Sequence, residues 1–144
     1  MRWSFSVALL LLPCLGHVSA QDSNADNRKS GITTETLLRT NAAWDNTPYI
    51  AYPKGAPEIT VLKITVPAHG ELPWHTHSMP NAAYVLSGEI TVEEQNGTKR
   101  HFSAGQVIPE TVNTRHRGVV GDIPAVFIVF YPGVKGMPLS QRAP

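Results

Sequence analysis

Cysteine is almost missing from this chain. Its 144 residues contain one, Cys14, which lies in an apolar N-terminal stretch. The body of the protein therefore has no disulfide, thiolate nucleophile or thiolate metal ligand, and its own core must hold it together. Charge of one sign is lacking too: twelve Lys and Arg face eleven Asp and Glu, a formal net charge of +1. That balance argues against nucleic acid or an anionic membrane as the main partner. No apolar run is long enough to span a bilayer, and no stretch carries a convincing helical period.

The first twenty residues, MRWSFSVALLLLPCLGHVSA, combine Arg2, an apolar run from Val7 to Leu12, and small residues at Val18, Ser19 and Ala20. They read as a secretory signal cleaved after Ala20. A lipoprotein signal using Cys14 is the alternative, but Pro13 and Leu15 fit it poorly, and no Arg-Arg pair marks a folded-state export route. The expected location is periplasmic or secreted, with no membrane contact after cleavage. Residues 21–32 are polar and read as a flexible tether. Residues 33–57, broken by Pro48, Pro53 and Pro57, read as an arm with one or two short strands packed outside the domain, and Trp44 as packed over the outer sheet.

From Glu58 the pattern becomes β. EITVLKITV places Ile59, Val61, Lys63 and Thr65 on one face and Thr60, Leu62, Ile64 and Val66 on the other. AYVLSG and EITVEE surround Gly88, with Ile90 and Val92 expected inward. Asn96-Gly97 predicts a two-residue type I′ hairpin. KRHFS, AGQVIPE, HRGVV and AVFIVFYP supply further short strands, and Tyr84, Phe127, Phe130 and Tyr131 read as core. Residues 133–144, with Gly133, Gly136 and Pro138, read as a loose tail. Short strands separated by Gly and Pro turns predict an all-β sandwich or barrel over residues 58–132.

His75 and His77 stand two apart on a strand, so their imidazoles leave the same face. If that face is inward, they form half of a metal site; if outward, they are polar surface. The wider context resembles the cupin family. Gly70, His75, His77 and Gly88, with PNAAYVLSGE, resemble its first motif; Gly105 and His116, separated by Thr111-Val112-Asn113, resemble its second. The resemblance implies a single-domain jelly-roll β-barrel, a double-stranded β-helix, with His75, His77 and His116 as metal ligands. Three departures stand out. Asn81 occupies the place of the family's glutamate, Thr111 and Asn113 replace its Pro-x-Gly turn, and Val120 replaces a terminal asparagine. Asn113 tolerates the left-handed conformation such a turn needs.

Asn81 could offer a metal a neutral carbonyl oxygen or nothing. Glu110, six residues before His116, is a second candidate. It reads as a pocket-facing ligand or general base, or alternatively as a rim carboxylate paired with Arg115 or Arg117. Glu89, Glu93 and Glu94 read as solvated, His69 as a turn residue and His101 as a cross-strand surface residue.

Three histidines leave open positions on a divalent ion. The resemblance then implies a dioxygenase-like oxidoreductase acting on a small anionic or enolisable substrate, with Fe²⁺ the leading ion and Ni²⁺, Mn²⁺ or Zn²⁺ compatible. A redox-neutral lyase or isomerase using Glu110 or Tyr84 as acid/base, and a non-catalytic periplasmic binding protein, are the alternatives. Exposed strand edges and the resemblance together point to a homodimer.

Overall fold

The computed structural model describes residues 31–142; the expected signal and most of the expected tether lie outside them. Nine strands follow in chain order: β1 (Pro57–Val66), β2 (His75–Thr76), β3 (Ala82–Ser87), β4 (Glu89–Glu94), β5 (Lys99–Ser103), β6 (Val107–Pro109), β7 (His116–Val119), β8 (Ala125–Val134) and β9 (Gln141–Arg142). They form two antiparallel sheets, one in the order β1-β8-β3-β6 and the other β5-β4-β7-β2-β9. This is the all-β jelly roll that the strand pattern and the resemblance imply.

The inner faces follow from alternation. On β8, Ala125, Phe127, Val129 and Tyr131 are buried, while Phe130 between them is 44% exposed. Burying side chains the size of Phe127 and Val129 stabilises by roughly 1.5–3 kcal/mol each, so a one-residue slip that turned them outward would be strongly disfavoured. Phe130, expected in the core, takes the outer face for the same reason. On β4, Ile90 and Val92 are buried as expected. Gly88 joins β3 to β4 at φ 73°, where a Cβ would press on the backbone of Pro124 and Ala125. That close approach is why the strand pair closes on glycine.

The hairpin at Asn96-Gly97 is present, but its turn is not type I′. Only Gly97 has positive φ, at 90°; its N–H donates to the Glu94 carbonyl at 3.0 Å, and the Glu94 N–H donates to the Thr98 carbonyl at 2.9 Å. This is a three-residue loop with a left-handed glycine, which serves the strand twist as well as a two-residue loop does. Asn113, at φ 60°, occupies the left-handed conformation expected of it.

Three other expectations are corrected. Among the described residues of the arm, Ala42 and Pro48 form one isolated bridge and no strand precedes β1. Trp44 is 3% exposed and belongs to the core, its backbone N–H bonded to the Pro109 carbonyl at 2.8 Å. The C-terminal segment is not loose. Strand β8 runs on to Val134, Met137 and Leu139 pack against the core, and β9 pairs with β2. Leu139 and Met137 drive that docking by the same apolar burial that holds β8.

Candidate metal centre

His75 lies opposite His116 across the β2–β7 pair, and His77 follows two residues later, bridged to Val112. Cross-strand partners share a face, so all three imidazoles enter the barrel. One ring nitrogen from each lies within 4.8 Å of the others. The ring centroids are 4.4–5.2 Å apart.

The hydrogen bonds decide which nitrogen each ring offers. Nδ1 of His75 meets the Pro73 carbonyl at 2.7 Å, Nδ1 of His77 the Leu139 carbonyl at 2.8 Å, and Nδ1 of His116 the Thr114 carbonyl at 2.9 Å. A carbonyl only accepts, so each Nδ1 carries the proton and each Nε2 keeps its lone pair for a ligand. Backbone carbonyls in this role orient metal-binding imidazoles and raise their basicity. The Nε2 of His116 is buried and faces only the Glu110 carboxylate, so a bound cation could take over the role of its proton. The donor set fits a divalent transition ion.

Glu110 completes the polar end of the cavity. Its Oε2 lies 3.3 Å from Nε2 of His116, while Arg117 is held instead by Glu93 at 2.6 Å and Glu71 at 2.7 Å. Burial pushes the Glu110 carboxyl up, but the His116 imidazole beside it, with His77 and His75 behind, more than offsets that and holds it below its ordinary value. Burial pulls His116 down, and the Glu110 carboxylate reverses this and leaves it raised. His75 lacks such a partner at contact distance, and burial lowers it to about 4. Burial also lowers His77.

These groups line a cavity of about 390 Å³ whose remaining wall is mostly apolar, with Leu62 and Ile64 from β1, Phe127 and Val129 from β8, and Ile108. Tyr131 stands on the same wall, its ring centroid 5.7 Å from that of His77, and burial raises its phenol to about 12. It stays protonated near neutral pH and can donate but not act as a base.

Asn81 and Tyr84 are placed elsewhere. Asn81 is buried, with Nδ2 donating to the Met79 carbonyl at 3.3 Å, and it lines a separate groove with Leu38 and Tyr49. Its backbone carbonyl supports the site by accepting from the Glu110 N–H at 3.0 Å. Tyr84 has the opposite parity to Ala83 and Val85, which take the inner face of β3, so it does not line the cavity. Glu93 and Glu94 are buried rather than solvated, Glu93 by Lys99 and Arg117 and Glu94 by its inner-face position. His69, at φ 59°, and His101, against Glu89 at 3.4 Å, lie on the surface as expected.

A comparison with protein families matches residues 62–131 to the family described as cupin domain. Residues 62–131 are thus similar to a cupin domain. No curated protein matches the sequence. Solved structures that resemble the chain include the DMSP lyase DddQ from Ruegeria pomeroyi, with 18% identity and a TM-score of 0.53 over 59% of this chain and 43% of that one. A cupin-like protein from Thermotoga maritima has 17% identity and a TM-score of 0.53 over 59% and 64% of the two chains. The polyketide cyclase RemF from Streptomyces resistomycificus has 22% identity and a TM-score of 0.51 over 59% and 60%. The matched region thus spans less than two thirds of each of these proteins, and at such identities the likeness is one of fold.

Proposed function

We propose that the protein is a metal-dependent enzyme that takes a proton from a small, enolisable, largely apolar anion and oxidises it in a dioxygenase-type reaction. The observation that carries this reading is the convergence of three Nε2 lone pairs beside one buried carboxylate in an apolar cavity. A divalent ion held by His75, His77 and His116 would supply Lewis acidity and, if redox-active, access to dioxygen chemistry. Iron(II) suits that chemistry best; nickel, manganese and zinc also suit the donors.

The chain's own groups do the rest. Glu110, its carboxylate 3.3 Å from Nε2 of His116 at the cavity wall, is placed to accept the substrate proton. The apolar wall excludes water from the resulting enolate. Tyr131, beside His77 on the cavity wall, offers a hydrogen-bond donor. A redox-neutral second reading, lyase or isomerase, is favoured by Glu110 itself, because a base at the cavity wall needs no oxidant. Export to the periplasm or beyond, supported by residues 1–20, and pairing of two copies, supported by the exposed Ile59, Val61 and Phe130 around the β1 edge, belong to the same proposal.

The test is turnover of enolisable acids by iron-loaded protein, with and without dioxygen. Oxygen consumption in step with substrate loss is expected. Equal turnover without oxygen transfers the assignment to the redox-neutral reading. Absence of turnover under both conditions with the metal bound contradicts an enzymatic role.

A further inference from the structure

The five-stranded sheet carries one continuous row of inward side chains. Register pairs Glu94 with His116, His116 with His75, and His75 with Arg142. Directly opposed residues of an antiparallel pair project from the same face, so Arg142 shares the face of the two histidines. Arg142 does line the cavity, beside Ser140, and it is the sole lysine or arginine among the described residues that do so. Among the described residues it makes no ion pair, whereas Arg117 on the outer face is held by two carboxylates. A guanidinium with five donors and no acceptor among the described residues, opening onto a chamber whose wall beyond the histidines and Glu110 is mostly apolar, is arranged for a ligand oxyanion.

We infer that Arg142 is the specificity-determining residue of this site and that it selects a small acid with an apolar body and one carboxylate. Resting on the metal-dependent reading above, the inference names its substrate class. The imidazoles and Glu110 take the reactive portion of the substrate, Leu62, Ile64, Phe127 and Val129 take its apolar body, and Arg142 takes its carboxylate in a forked pair of hydrogen bonds. The docked C-terminal segment thereby has a use beyond packing: it brings the cation to the cavity.

The test is calorimetric binding of phenylpyruvate and of its neutral methyl ester to the full chain, with and without one equivalent of zinc. Wild type is expected to bind the acid about tenfold more tightly than the ester. Arg142→Gln should lose that preference while binding the ester as wild type does, and Arg142→Lys should recover part of it because the charge remains without the fork. If the ester binds weakly but Arg142→Gln leaves acid binding unchanged, the carboxylate is read by the metal. That overturns the inference and leaves the metal reading standing. Equal binding of acid and ester by wild type, or binding of neither, also overturns it. Failure of wild type to take up zinc would contradict the metal reading, and the comparison without zinc would still decide the role of Arg142.

Discussion

His116 presents its two ring nitrogens to different partners: Nδ1 donates to the Thr114 carbonyl at 2.9 Å, and Nε2 lies 3.3 Å from Oε2 of Glu110. In the metal-free protein this makes an imidazolium–carboxylate pair, with His116 raised and Glu110 lowered. A cation held by His75, His77 and His116 would displace the proton from Nε2 of His116 and leave the Glu110 carboxylate as a base beside the site. Glu110→Gln is therefore expected to keep its metal and lose turnover by roughly 10²–10⁴-fold, as removal of a general base does. Elemental analysis alongside the assay checks this; loss of the metal would make Glu110 a ligand instead.

The bond from His77 Nδ1 to the Leu139 carbonyl ties the metal centre to the C-terminal segment. Ending the chain after Pro138 removes that acceptor together with β9. Metal affinity is expected to fall about 10–100-fold, the usual loss when an imidazole loses its orienting partner. Competition with a chromophoric chelator measures it, and unchanged affinity would show that Leu139 plays no part in orienting the ring.

Much of this was legible in the sequence. The period-two pattern of EITVLKITV separated the two faces of β1, and His75-x-His77, with His116 from the family resemblance, named the three imidazoles that the structure brings together. What escaped was long-range. For Glu110, a candidate in the sequence, the turn before His116 left pocket and rim equally open, and only the folded structure places it in the cavity. Tyr84 and Tyr131 look alike as aromatic strand residues, and only the register of β3 against β8 shows which of them faces the cavity. Arg142 and Leu139 sit in a Gly- and Pro-containing stretch whose composition resembles a tail. Their roles come from pairing with β2, sixty-odd residues earlier.

Acid titration should separate the histidines. His75 is lowered from its ordinary 6.5 to about 4, first by burial and then by its histidine neighbours. Between those values the unfolded chain binds a proton at this position that the folded chain does not. The contribution of His75 to stability therefore declines as pH falls from 6.5 toward 4. His116 has the opposite sign: its raised value gives stability that is fully present below 6.5 and lost as pH rises through its folded value. Imidazole resonances of the metal-free protein followed by NMR are expected to show His75 titrating near 4 and His116 above 6.5. Wild type should also lose stability relative to His75→Asn on acidification. A His75 midpoint near 6.5 would contradict the burial argument.

Gly88→Ala tests the closure of the first strand pair. At φ 73°, with Pro124 and Ala125 against the position of a Cβ, alanine meets both backbone strain and a backbone clash. Destabilisation of more than about 1 kcal/mol is expected, read as a fall in Tm. A neutral effect would mean that the β3–β4 junction can relax away from Pro124.

The central claim is that His75, His77 and His116 together hold one divalent ion through their Nε2 atoms. It is tested most directly by measuring metal content per chain in wild type and in His77→Ala, each purified folded at neutral pH. The account predicts one divalent transition ion per wild-type chain and essentially none in the variant. Full occupancy in His77→Ala, or a wild type that takes up no divalent ion, would contradict it.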